Sequence, residues 1–404
     1  MNKPLNLLWF LLTSMVLNTG CQSTAEKKNP EVTVIELGDY LAANSKIKLS
    51  GFIDSIAYIP LETNENCLMG SFISFGIKGS HIIISDESTS SIYIFMQNGK
   101  FLSRIGHQGK GPGEYVSVSD FYLSDDSIVH IYSSRNKAIL RYDLTGTYLN
   151  NDIPVTQTAN QICNLGDDKI VGIADYTGFN SNQVNYDAFV SDENGKILKR
   201  FLPCPDSLNV GYLTLPLHNI SSRDNLVRFI LPYSNTIYEI DQNLNLRPAY
   251  SIDYGRYNID EAFHTFLSQP QIEMEEFMTF FNQKKYCNLV GYVENDIYLV
   301  LLTLQNQTAN TTVYSKPDRQ IMSGSFSLET ANNGFFENDI DGLPIVGIYA
   351  MDTNYLYSVI DPLTVLKHKE NQGSEALPSS NIDKILSSIS PNSNPLIVRL
   401  KLKK

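Results

Sequence analysis

Six histidines stand at positions 81, 107, 130, 218, 264 and 368. None belongs to an HxH, HExxH or His–Cys spacing, so no metal triad can be built from chain neighbours. No GxSxG elbow lifts a serine nucleophile above a sheet, and no serine has an obvious base. Five cysteines, Cys21, Cys67, Cys163, Cys204 and Cys287, form no CxxC pair, which removes the usual zinc and redox motifs. No catalytic residue, metal ligand or cofactor-binding residue can be named from spacing alone. Any chemistry must be gathered from distant parts of the chain.

The densest run of special backbone geometry is Gly106-His-Gln-Gly-Lys-Gly-Pro-Gly-Glu-Tyr115. A phosphate cradle would need GxxxxGK[ST], but Gly109-Lys110 is followed by Gly111 and the residue five before Gly109 is Arg104. A dinucleotide fingerprint would need a following helix, which is not expected here. The run reads as a crossover between packed units, with Glu114 and Tyr115 capping or packing it. It carries His107, one of three candidates for a ligand-facing role. The second is His218, just before a strand. The third is Tyr176, in the loop Tyr176-Thr-Gly-Phe179 and Asn180–Tyr186. Polar-aromatic loops of that kind, Asn306–Thr312 included, can stack on sugars. Asp125-Asp126 and Asp167-Asp168 occupy equivalent turns and read as turn formers. A calcium role is their alternative, without an EF-hand pattern.

These residues need a scaffold. The chain has 404 residues, 42% hydrophobic and 18% charged, with 23 Tyr and 19 Phe, a composition of packed strands rather than disorder. A net charge of −12 argues against nucleic acid as partner. Lys3 and the apolar stretch Leu5–Leu17 read as a secretory signal too short to span a membrane. Leu17-Asn18-Thr19-Gly20-Cys21 resembles a bacterial lipobox, with Asn18 departing from the usual choice. It implies a signal peptide over 1–20, lipidation of Cys21, and a polar tether over 21–30. Cleavage there would remove Lys3 and the single tryptophan, Trp9. The other four cysteines are expected as buried free thiols, with a Cys163–Cys204 bridge as the alternative.

A hairpin recurs. Phe95-Met-Gln-Asn-Gly99-Lys-Phe-Leu102, Tyr142-Asp-Leu-Thr-Gly146-Thr-Tyr-Leu149, Val190–Leu198 around Gly195, and a degenerate Tyr238–Leu246 have turns 47, 49 and 49 residues apart. Each turn requires positive φ, hence Gly or Asn. A constant period with four short strands per unit is the pattern of a β-propeller blade. Blades are expected near 72–106, 118–150, 160–203, 219–255, 286–328 and 345–402. A helical insertion near 259–285 interrupts the period, and a short helix is expected from Ile382, ended by Pro391. The class is all-β, a six-bladed propeller of four-stranded antiparallel blades over 31–404. An N-terminal strand, at 31–37 or 52–61, is expected to join the C-terminal blade and close the ring.

On these residues the chain resembles the bacterial six-bladed β-propeller lipoprotein family of exported proteins. The carriers are Ile53–Glu62, Phe95–Leu102, the glycine-rich loop to Tyr115, and Asn394-Pro-Leu-Ile-Val-Arg-Leu. The fold is also similar to NHL-repeat propellers. The resemblance brings no catalytic residues. A rigid ring with loops at two mouths makes recognition the expected function: a lipid-anchored binding scaffold in the cell envelope, at the outer membrane, with a glycan, peptide or outer-membrane uptake component as partner. The alternative is a propeller lyase or hydrolase acting in the central channel.

Overall fold

The structure, a computed structural model, describes residues 32–404 apart from 42–45, 71, 126, 175–184, 205–218, 270–271, 307, 328–334, 346, 373–384 and 386. Thr33–Lys404 form one compact unit. Two strands come first, β1 (Thr33–Glu36) and β2 (Ile53–Pro60). Blade one holds β3 (Phe72–Lys78), β4 (His81–Asp86), β5 (Ser91–Met96) and β6 (Phe101–Ile105). Blade two holds β7 (Asp120–Leu123), β8 (Val129–Ser133), β9 (Ala138–Tyr142) and β10 (Ile153–Pro154). Blade three holds β11 (Ala159–Gly166), β12 (Lys169–Ala174), β13 (Asn185–Ser191) and β14 (Ile197–Cys204). Blade four holds β15 (Ile220–Arg223), β16 (Leu226–Ile230), β17 (Thr236–Ile240) and β18 (Leu246–Asp253). Helices α1 (Glu261–Leu267) and α2 (Met274–Lys284) follow it. Blade five holds β19 (Asn288–Glu294), β20 (Tyr298–Gln305), β21 (Thr308–Ser315) and β22 (Ile321–Ser327). Blade six holds β23 (Ala350–Met351), β24 (Tyr355–Ile360) and β25 (Leu396–Leu402), with α3 (Pro362–Gln372) between the last two.

These strands make six sheets, antiparallel but for β1 at the edge of blade four, and the sheets form a six-bladed propeller. The first strands of neighbouring blades touch: β3 meets β7, β7 meets β11, β11 meets β15, and β23 meets both β19 and β3. They therefore line the axis. The second and third strands of a blade are covered on both sides, which is why they read as unbroken apolar runs. In β4, Ile82 and Ile84 pack toward blade six, against Tyr357 and Ile397. Ile83 between them packs toward blade two, against Ile131 and Leu140. Each buried isoleucine contributes about 1.5–3 kcal/mol. The core is thus a set of wedges between blades rather than one central mass.

Of the two expected closing strands, only the second closes the ring. β2 pairs with β25 from Ile53↔Leu402 to Pro60↔Leu396. β1 instead lies parallel to β18, Thr33↔Tyr250 to Glu36↔Asp253, as a fifth strand on blade four. In β1 only Ile35 is buried, as suits an outer edge.

The repeating hairpin glycines have a second role besides positive φ. A Cβ on Gly99 would lie 2.1 Å from the Pro60 carbonyl oxygen at the end of β2. The same addition at Gly195 would lie 1.9 Å from the Pro154 oxygen at the end of β10. Each outer hairpin abuts the end of the preceding blade's outer strand, and a side chain there would part the two. The fourth hairpin does without glycine, with Leu244 held at φ 60°.

Strand alternation places the first and third turns of every blade at one end of its sheet. The second turn and the crossover to the next blade lie at the other. Apart from the ten-residue connection 143–152 between β9 and β10, the first set is short among the described residues. The long segments, α1 and α2 after blade four, the crossover from β22 to β23, and α3, all belong to the second set. The helical insertion has its own core, in which Tyr233 packs with Phe263, Phe277, Phe281 and Tyr286. Asp260 caps α1 by accepting from the Phe263 amide at 3.1 Å. Met274 and Met278 of α2 are exposed. The helix α3 went unread in the sequence, although Asp361-Pro362 is a start signal: the Asp361 carboxylate accepts from the Leu363 amide at 2.7 Å. Of the helix expected from Ile382, residues 382–384 and 386 lie outside the described residues; Ile385 is helical, Ser387 and Ser388 form a turn, and the helix does not run on to Pro391.

Candidate functional site

The glycine-rich loop folds onto its own acid. Glu114 accepts from the Gly111 amide at 2.8 Å, and those contacts hold its carboxyl below the usual range. The Tyr115 hydroxyl donates to the Ile105 carbonyl at 3.0 Å, and the Tyr142 hydroxyl to the Gly113 carbonyl at 2.7 Å. The loop's own groups thus satisfy one another, as a crossover requires. His107 is exposed on it, with Nε2 3.3 Å from Glu114 Oε1. The other sequence candidates, His218 and Tyr176, and the lipidation candidate Cys21, lie outside the described residues.

The paired acids are turn formers where they are described. Asp167 and Asp168 both have positive φ between β11 and β12, and Asp125 pairs with Lys78 at 2.6 Å. Among the described residues no group of three His, Cys, Asp or Glu side chains could hold a metal ion. Cys67, Cys163, Cys204 and Cys287 are not joined in disulfides. Cys163 sits on the innermost strand of blade three and Cys204 on the outermost, with β12 and β13 between them, so no bridge could span the pair.

Near the axis, Asp120 links blades two and three by accepting from the Ile162 amide at 2.8 Å. Its other oxygen accepts from the Phe121 amide at 2.9 Å. Burial pushes its carboxyl up to about 7. Burial, then the neighbouring Asp120, push the Cys163 thiol up to about 12, far from a reactive thiolate. Both Asp120 oxygens serve the backbone, so the geometry describes an anchor between blades rather than a general base.

A cleft of about 460 Å³ opens in the wedge between blades five and six. Three separate segments line it. Lys46 comes from the chain before β2, Phe336, Glu337, Asn338, Gly342, Leu343 and Pro344 from the crossover between β22 and β23, and His368 from α3. The wall is fixed from behind. The Glu337 amide donates to the Ile47 carbonyl and the Leu49 amide to the Glu337 carbonyl, each at 2.9 Å. Ser50 donates to Asp339 through its amide at 2.9 Å and its hydroxyl at 2.6 Å. Buried Asp341 takes the Tyr58 hydroxyl, the Asn338 side-chain amide at 2.6 Å and the Leu343 amide at 3.3 Å. Burial raises the Asp341 carboxyl and lowers both the Lys46 ammonium and the His368 imidazole from their ordinary values. A concave site with several perturbed titratable groups fits ligand recognition.

Sequence reading missed this site. Its residues are about 290 and 320 positions apart, on no motif, and His368 looked no different from the other histidines.

Residues 32–401 match the model of a family described as a domain of unknown function, DUF4934. The chain belongs to this family. No curated protein is similar enough to match. A crystal structure from Bacteroides fragilis, of a protein described as exported, is similar over 93% of this chain and all of its own, with 17% identity and a TM-score of 0.73. A DUF4221 family member from Bacteroides vulgatus is similar over 87% of this chain and 97% of its own, at 12% identity and a TM-score of 0.53. At such identities the likeness is one of fold, and it agrees with the six blades. In this DUF4934 chain the cleft between blades five and six is lined by Lys46, Glu337 and His368 among others.

Proposed function

We propose that this chain is a ligand-recognising lipoprotein of the bacterial cell envelope, held by lipid at Cys21 to the outer membrane. The carrying observation is the cleft: three segments far apart in sequence converge on one concavity and are braced by Asp341, Asp339 and the Glu337 backbone. A rigid ring supplies the preorganisation that keeps the ordering cost of binding low. Export is supported by the leader pattern and by the exported description of the similar Bacteroides fragilis protein. Among the described residues no helix is long and apolar enough to cross a membrane, so on this reading the lipid provides the anchor.

The partner is a glycan, a peptide or an uptake component of the outer membrane. A glycan and peptide panel screened by thermal shift on residues 31–404, with and without divalent metal, tests this. A stabilising hit lost in Lys46→Ala/His368→Ala is expected. No shift across the panel would count against the reading. Anchoring is tested separately by labelling cells with a fatty-acid analogue, with label expected in the intact chain and absent in Cys21→Ala.

A further inference from the structure

We infer that Arg399, in the wedge between blades six and one, receives a carboxylate from an external ligand, at a site separate from the cleft.

The strand register shows what this wedge lacks. Two residues past the pair that closes its first turn, each blade presents a cross-strand pair from its second and third strands. In blade four that pair is Arg228↔Glu239, and in blade six it is Tyr357↔Arg399. Both rows face the following blade. Arg228 reaches Glu294 of blade five at 2.6 Å, and Tyr357 packs with Phe75 of blade one. Glu294 pairs with Leu299, next to the first turn of blade five. The matching position of blade one is Ile77, which pairs with Ile82 and packs into the same wedge as Tyr357. The wedge between blades four and five therefore sets Glu239 and Glu294 around its arginine. The wedge between blades six and one sets Tyr357 and Ile77 around Arg399. Here the cation is present and the acids are not.

Arg399 is half-buried, and its Nε–H is buried with no acceptor. Among the described residues no ion pair engages its guanidinium. The Tyr355 ring lies beneath it, with the guanidinium carbon 4.8 Å from the ring centroid. The neighbouring charges are engaged elsewhere. Asp352 takes the Tyr357 hydroxyl at 2.6 Å and the Asn354 and Tyr355 amides at 2.8 Å each. Lys401 pairs with Asp54 at 2.8 Å. A guanidinium stays charged at any accessible pH, and a partly buried charge without a partner is costly. Tyr355 offsets part of that cost from one face and leaves the edge of the fork for a planar acceptor. A carboxylate matches that fork in its plane. It would do for Arg399 what Glu294 does for Arg228. Arg141, at the matching position of blade two, also has a buried Nε without an acceptor. No aromatic ring lies under it among the described residues, so the assignment is to Arg399.

The test is calorimetric titration of residues 31–404 with glucuronate and with N-acetyl-alanyl-alanine, a sugar acid and a peptide C terminus. Glucose and the amide of the same dipeptide are the uncharged controls. At least one acid should bind, neither control should, and the tighter acid names the source. Arg399→Met should weaken binding about tenfold or more. Ile77→Glu supplies the missing acid from within the protein. It should abolish binding and raise the midpoint of thermal unfolding, whereas Ile77→Gln, neutral and of similar size, should keep binding. Pro344→Trp, which fills the cleft between blades five and six, should leave the affinity unchanged. Binding lost in Pro344→Trp, with native circular dichroism, would move the carboxylate to the cleft and overturn the assignment to Arg399. Acid binding that survives Ile77→Glu, or that is lost equally in Ile77→Gln, would overturn it as well. No heat from either acid up to about 10 mM has the same consequence.

Discussion

Tyr58 directs its hydroxyl at both carboxylate oxygens of Asp341, 3.0 Å from each, across 283 residues of chain. Tyr58 belongs to the strand that closes the ring and Asp341 to the wall of the cleft. One buried interaction therefore couples closure of the propeller to the shape of its candidate site. Burial raises the Tyr58 phenol far above its ordinary value, so it stays a donor throughout the accessible pH range. Tyr58→Phe leaves Asp341 one donor short and is expected to cost about 1–3 kcal/mol in urea unfolding. It should also weaken ligand binding in the cleft, and an unchanged denaturation midpoint would refute the coupling.

Two glycines separate backbone strain from crowding between blades. Gly79 has φ +57° with nothing within 4 Å of an added Cβ, whereas Gly99 has φ +85° and meets the Pro60 backbone at once. Gly79→Ala should cost about 1–2 kcal/mol, the usual left-handed penalty. Gly99→Ala should cost on the order of 3 kcal/mol or more, because the outer strands of blades six and one must part. Equal midpoint shifts for the two variants would show that the contact with Pro60 does not matter.

Asp120 should leave a signature in the pH dependence of stability. Its folded value of about 7 lies above its ordinary value of 3.8, so between these limits the folded state binds more protons than the unfolded one. Its contribution to stability is full below the ordinary value and is lost as pH rises through 7. Asp120→Asn should therefore gain on the wild type between pH 4 and pH 8, in parallel thermal melts. A difference that does not vary with pH would sink the assignment.

The largest charge effect is expected between blades four and five. Glu294, nearly buried, receives Arg228 at 2.6 Å and Lys316 at 2.7 Å, and Arg228 also reaches buried Glu239 at 2.6 Å. Lys316 and Arg228 both lie against the Tyr250 ring. Glu294→Ala leaves two cations without their shared acceptor and should cost about 3–5 kcal/mol. Lys48→Ala, which removes only the exposed partner of Glu337, should cost less than about 1 kcal/mol. The comparison is made by chemical denaturation, and similar losses in both would show that burial is not the deciding variable.

The four thiols of residues 31–404 should react slowly while the domain is folded. Cys67, Cys204 and Cys287 are buried, and burial also pushes Cys287 up to about 12. A thiol-titrating reagent at pH 8 should count four only after denaturation, with no reductant needed. A count of two would restore a disulfide.

The repeat was legible in the sequence because its signals are local. Gly99, Gly146 and Gly195 mark turns that need positive φ, and β-branched runs such as Ile82–Ile84 mark strands covered on both sides. The number of blades and the helical insertion near 259–285 follow from such short-range patterns. The glycine-rich loop also announced itself as a crossover, since Glu114 and Tyr115 lie only residues away from the groups they cap. Which N-terminal strand would close the ring was not legible. β1 and β2 both alternate acceptably, and only the pairing of Ile53–Pro60 with Leu396–Leu402 against the parallel seat of β1 on β18 separates them. The cleft was less legible still. Lys46, Glu337 and His368 share no spacing, and their neighbourhood exists only once the ring has closed and Tyr58 has met Asp341. Local backbone chemistry is written along the chain and can be read there. A site assembled from three distant segments depends on ring closure, and tertiary structure alone decides which residues meet.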